Sequence, residues 1–115
     1  MVKELFDSAV RSGGDLAGVF EYNGETAHFY LYDVTREQEH KIVDAIHVLT
    51  GEFDLTSPDV EVRWDDDESR VALFLRETQW AVFNAITGEK HGGNYSPCSK
   101  PEIPTNETFH TRRTN

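Results

Sequence analysis

Apolar and polar residues alternate most sharply at positions 60–65, where Val60, Val62 and Trp64 are separated by Glu61, Arg63 and Asp65. A period of two sends successive side chains to opposite faces, so this stretch reads as a strand with one buried and one wet face. VALFLR (71–76) and WAVFNAI (80–86) are apolar at nearly every position. That is the pattern of strands inside a sheet covered on both sides. Glu77, Thr78 and Gln79 make a connection short enough for a hairpin. Strands over 59–65, 70–76 and 79–86 therefore form an antiparallel meander.

Upstream, GVFEYNGETAHFYLYD (18–33) contains Asn23-Gly24, a strong hairpin signal because the favoured tight turns need positive φ at their centre. Phe20 and Tyr22 lead into that turn, and Phe29 and Leu31 alternate with His28, Tyr30 and Tyr32 after it. Two antiparallel strands follow. In KELFDSAVR (3–11), Leu5, Phe6, Ala9 and Val10 stand at helical spacing, with Gly13-Gly14 as a stop, which predicts a short N-terminal helix. Residues 34–51 support two readings. Thr35-Arg36-Glu37-Gln38 has capping-box spacing and Ile42, Val43, Ile46 and Leu49 repeat helically, yet VDAIHVL also alternates as a strand. Beyond Gly88 the chain holds three of its four prolines and few aliphatic residues. It is expected to run as extended coil over the surface, with disorder in the last ten residues.

Length and charge narrow the function classes. A chain of 115 residues supports one core, and thirteen aromatic rings supply it with large side chains. The excess of 21 acidic over 11 basic residues, net −10, disfavours phosphate backbones and anionic membranes, leaving no expectation of nucleic acid or membrane as partner. Basic proteins and cations remain as the charge-complementary partners, of which a basic protein is the expected one. Cys98 is the single cysteine, so no internal disulfide forms. With no spanning apolar run and no secretory-type leader in MVKELFDSAVRSGG, the expected location is the cytoplasm.

The acidic run in RWDDDESRV (63–71) joins two strands whose apolar residues are in step. Asp and Ser favour such turns because their side chains bond the local backbone. A calcium loop would need spaced oxygen ligands, a glycine and a distal Glu, and DDDES lacks them. The run reads as a turn.

Catalytic and metal motifs are sparse. His28, His40, His47, His91 and His110 form no His-x-x-x-His or His-x-His pair, and Cys98 has no cysteine partner, so recognised zinc spacings are missing. His28 and His47 could meet across a sheet, with Asp33 and Asp44 joining them in a metal-binding constellation. Cys98 lies in a proline-flanked coil without a helix N-terminus to activate it. No serine has a Gly-x-Ser-x-Gly context, and Gly13-Gly14 and Gly92-Gly93 are too short for a phosphate loop. Tyr22, Tyr30, Tyr32, Trp64 and Trp80 are too many to bury completely in so small a domain. A Tyr/His strip beside carboxylates has the composition of a protein-binding surface; the same rings under a helix or the tail would be structural.

GETAHFYLYD, IVDAIHVL, VEVRWDDDESRVALFL and WAVFNAI, in that order, are similar to a family of small bacterial proteins known only as a domain of unknown function, DUF2251. The matching positions are Gly24, Glu25, Thr26, Phe29, Tyr30 and Asp33, then Asp44, Ala45 and His47, then Trp64, Ala81, Val82 and Phe83. The likeness spans roughly residues 18–97. It departs where DDDES replaces an Asp-Gly turn, and in a longer, more charged segment before Asp44. The resemblance implies a β-rich fold and a strand near 43–49, and brings no activity with it. A fainter likeness of 64–89 to one propeller blade leads nowhere, since one blade cannot close a ring and no repeat follows.

The expectation is a mainly β domain, or α+β if the helices hold. Its core is one antiparallel sheet of five or six strands, a meander with hairpins and one or two short helices, over residues 1–96 with a tail over 97–115. The expected function is a non-catalytic protein-interaction module without cofactor, in its specific form an immunity-type inhibitor of a basic toxin. Its candidate binding residues are His28, Tyr30, Tyr32, Asp33, Asp44, His47 and Trp64. The alternative is a small metal-binding protein or metal-dependent enzyme using His28, His47, Asp33 and Asp44.

Overall fold

A computed structural model describes residues 4–37, 40–96 and 98–109. Eight strands occur in chain order: β1 (Leu5–Val10), β2 (Leu16–Tyr22), β3 (Thr26–Asp33), β4 (Ile42–Thr50), β5 (Val60–Trp64), β6 (Arg70–Leu75), β7 (Thr78–Asn84) and β8 (Lys90–Gly92). They form two four-stranded antiparallel meanders, β1-β2-β3-β4 and β5-β6-β7-β8. The single larger sheet expected from the sequence is thus divided in two. The strandless segment 51–59 separates the halves, and each half turns its apolar face to the other. Among the described residues, named helical turns are three-residue 3₁₀ pieces at Ser57–Asp59 and Thr105–Glu107.

The inner faces follow directly from register. Phe20 stands opposite Phe29, and Phe29 opposite Ile46, across β2, β3 and β4. From the second sheet Val62, Val71, Leu73 and Phe83 meet them in one buried cluster, with the Phe29 and Phe83 rings 5.1 Å apart. Fully burying side chains of this size contributes about 1.5–3 kcal/mol each. Gly18 marks the closest approach of the layers: a Cβ there would lie 2.5 Å from Val71 Cγ2 and 3.0 Å from Val62 Cγ1.

Both open edges of the sandwich are tied. At one, the Val62 amide donates to Asp7 Oδ2 (2.7 Å) and the Trp64 indole to Ala9 O (2.9 Å), joining β5 to β1. At the other, the chain leaves β8 through Gly93, whose φ is +97°, and turns onto β4. There Asn94 and Tyr95 amides donate to His47 O (3.1 Å) and Val48 O (2.5 Å). A Cβ on Gly93 would come within 2.5 Å of His47 O, so this crossing requires glycine on both conformational and steric grounds. Gly92-Gly93 is a structural crossing.

The strands of the β5–β7 meander fall where alternation (β5) and the unbroken apolar runs (β6 and β7) put them, and the outer side of this sheet is covered as its apolar sequence demanded. Ala72, Phe74 and Val82 are buried beneath Ile103 and Phe109 of the C-terminal segment. Polar bonds fix that cover: Gln79 Nε2 donates to Glu107 O (2.9 Å), and Phe109 N donates to Gln79 Oε1 (2.9 Å).

Two local expectations need correction, and one open reading is decided in favour of the strand that the resemblance implied near 43–49. Residues 5–10 are a strand, because Leu5, Asp7 and Ala9 turn toward the second sheet while β2 pairs along their whole length; Gly13-Gly14 lies in the hairpin turn and stops no helix. Residues 42–50 are also a strand, which decides the ambiguity at 34–51; Gln38 of the apparent capping box lies outside the described residues. In the first hairpin, Tyr22 pairs with Ala27, so Gly24-Glu25 are central and Asn23 precedes them. Its side chain accepts from the Glu25 and Thr26 amides (2.9 and 2.8 Å), and Gly24 supplies the positive φ of +94°.

Gly18→Ala is expected to destabilise the fold by about 1–3 kcal/mol through overpacking. Urea unfolding would report this as a lower midpoint at unchanged slope.

Candidate functional site

Because paired residues of an antiparallel sheet share a face, the register lays the outer side of the first sheet in three rows. Phe6, Glu21, His28 and His47 form one; Ser8, Val19, Tyr30 and Ala45 the next; Val10, Ala17, Tyr32 and Ile42 the third. The two sheets differ here: the C-terminal segment shields the second, whereas on the first Phe6 is 66% exposed, Val10 55% and Ile42 52%. With Val43 in the adjoining bulge, four of the six exposed large apolar side chains among the described residues gather on this surface or its rim. Such a grouping marks interaction surfaces more than a scattered exposed residue does.

The rings on this face touch in sequence. His28 stacks on Tyr30 with centroids 5.8 Å apart, Tyr30 meets Tyr32 edge-on at 6.2 Å, and His28 meets His47 at 5.2 Å. Burial raises the Tyr30 phenol above its ordinary range, with the charge of Glu21 and neighbouring Tyr32 adding to it. Beside the first row lies a groove of about 420 Å³ lined by Glu4, Leu5, Phe6, Glu21, Tyr22 and Asn23. Its lining brings an exposed ring and two acidic residues together.

Of the residues singled out from sequence, His28, Tyr30, Tyr32 and His47 thus share one outer surface. Asp33, Asp44 and Trp64 do not. Asp33 closes the turn after β3, accepting from Thr35 Oγ1 (2.5 Å) and Thr35 N (3.0 Å) and pairing with Arg36 (3.1 Å). Asp44 Oδ1 accepts from Lys90 Nζ (2.7 Å) of the other sheet. Trp64 is buried between the sheets at the tied edge, with the Arg11 guanidinium 5.4 Å from its ring centre. The two imidazoles therefore meet without the carboxylates expected beside them. Phe6 and Glu4 were missed because the helical reading of 3–11 hid the alternation that sends Phe6, Ser8 and Val10 outward, and Glu21 because only the pairing of β1 with β2 sets it beside Phe6.

The acidic run is a turn. Asp65 Oδ1 accepts from the Ser69 and Arg70 amides (both 3.0 Å), and Asp67 Oδ1 from the Ser69 hydroxyl (2.7 Å). Glu68, at φ +57°, accepts from Ser12 N (3.0 Å) and Ser12 Oγ (2.6 Å), fastening the β5–β6 turn to the β1–β2 turn. Cys98 and His40 are exposed, and His110 lies outside the described residues.

A family model described as "uncharacterized protein conserved in bacteria (DUF2251)" matches residues 3–113, and the chain belongs to this family. No curated protein and no solved structure matches it. Among the described residues no helix is long and apolar enough to cross a membrane.

The turn carboxylates give a pH signature. Arg11 holds Asp15 at 2.7 and 2.8 Å and, against the opposing effect of burial, lowers its pKa to about 2. The Ser69 and Ser12 hydroxyls likewise lower Asp67 and Glu68. A depressed native pKa adds stability that is complete above the ordinary carboxylate range and is lost as pH falls through the native value. Urea midpoints are therefore expected to hold down to about pH 5 and to fall steadily toward pH 2. Asp15→Asn should reduce that fall.

Proposed function

We propose that this domain is a non-catalytic binding module that captures a basic protein on the outer face of its first sheet. The observation that carries the reading is the groove beside Phe6, which Glu4 and Glu21 line together with that exposed ring. A lysine or arginine side chain suits that arrangement, since its aliphatic stem covers the ring while its charged head reaches the carboxylates. Tyr30, Tyr32 and the His28–His47 pair extend the same surface with rigid, amphipathic rings of the kind that anchor interfaces. The net charge of −10 adds a long-range attraction that speeds encounter with a basic partner.

The specific form we favour is an immunity-type inhibitor, which neutralises a basic toxin by covering it. Small size, acidity and an open sheet face support that form. A catalytic reading built on His28, His47, Asp33 and Asp44 has less support, because both carboxylates are bonded away from the imidazoles.

The test is a fluorescence-anisotropy titration at low salt with a labelled peptide of alternating lysine or arginine and leucine residues, against an acidic control peptide. The Phe6→Ser/Glu21→Gln double variant should weaken binding of the basic peptide about tenfold or more, as loss of an interface anchor does. Asp66→Asn, which removes one charge from the far turn, should change it little. Equal losses in the two variants would mean diffuse charge attraction and would remove this face from the function.

A further inference from the structure

We propose that Glu89, His91 and Glu107 form a site for a zinc-type divalent transition metal that clasps the C-terminal segment to the second sheet. This site is separate from the basic-partner surface and does not depend on it. Glu89 directly precedes β8 and His91 lies within it, and a separation of two on extended chain puts both side chains on one side of the strand. Glu107 arrives from the 3₁₀ turn Thr105–Glu107 of the covering segment. One imidazole nitrogen and two carboxylate oxygens, from these three residues, lie within 4.8 Å of one another. Donors around a tetrahedral zinc stand about 3.3 Å apart, given bond lengths near 2.0–2.2 Å. Glu89 is exposed, so a rotation of its side chain closes the set.

A second observation comes from the third ligand. Glu107 is 3% exposed, an unusual place for a carboxylate, and its two oxygens are unequally satisfied. Among the described residues, Oε1 accepts from Arg70 Nε at 2.8 Å and from Asn84 Nδ2 at 3.3 Å, whereas Oε2 accepts from Asn84 Nδ2 alone, at 3.3 Å. Arg70 and Asn84 thus orient the carboxylate, as the outer partners of metal ligands do, and one of its oxygens lies within 4.8 Å of the Glu89 and His91 donor atoms. Two carboxylates neutralise a dication, while Arg70 has a second carboxylate partner in Asp65 (3.5 Å). A set of one imidazole and two carboxylates suits zinc, cobalt or manganese better than calcium or magnesium, which prefer oxygen alone. Three protein donors leave one coordination position for water or an incoming group.

The experiment is calorimetric titration of the full chain with zinc chloride, paralleled by the visible absorption of bound cobalt(II). One zinc per chain is expected, with a raised melting temperature. His91→Ala and Glu89→Gln should each weaken binding at least tenfold and abolish the melting shift. Glu89 is exposed and His91 half-buried, so metal-free melting temperatures that match the wild type would separate ligand loss from misfolding. The proposal fails if the wild type takes up no stoichiometric zinc, or if both variants take it up equally. It also fails if His28→Ala or His47→Ala abolishes uptake while His91→Ala does not.

Discussion

The sandwich depends on the ties that join its two sheets along both edges. Each meander alone would expose two edge strands, and unpaired edges are open to pairing with other chains. Asp7 and Ala9 of β1 accept from Val62 and Trp64 of β5, while Asn94 and Tyr95 donate to β4 after the chain crosses at Gly93. With both edges engaged, the inner rows of Phe20, Phe29, Ile46, Val71 and Phe83 are held in register over Gly18. The apolar core supplies most of the stabilisation; the edge bonds decide which rows face each other.

That closure leaves the outer faces with different fates. β6 and β7 carry apolar side chains outward, and the C-terminal segment returns to cover them with Ile103 and Phe109. β1 to β4 carry a mixed surface outward, with rings and imidazoles among Phe6, Glu21 and Ser8. A wholly apolar face needs its cover for folding. A mixed face tolerates water and stays available to a partner, which is why the binding reading rests there.

Acidity is divided between the same two tasks. Asp15, Asp33, Asp65, Asp67 and Glu68 satisfy backbone or hydroxyl donors in turns, so much of the negative charge serves local structure. Glu4 and Glu21 line an open groove, and Glu107 is enclosed beside Arg70 and Asn84. Net charge alone could not distinguish these roles.

Local chemistry was legible in the chain itself. Alternation located β5, the unbroken apolar runs located β6 and β7 and foretold their double cover, and Asp-rich and Asn-Gly turns fell where side-chain-to-backbone bonding puts them. The strand at 5–10 was misread because Leu5, Phe6, Ala9 and Val10 satisfy helical spacing, and only pairing with β2 decides against it. The division into two sheets, the burial of Trp64, the separation of Asp33 and Asp44 from the imidazoles, and the approach of Glu107 to His91 rest on contacts between distant positions. Turn preference and face alternation act over a few residues and can be read there. Which faces meet, and which stays open, is settled by packing that no short stretch of chain contains.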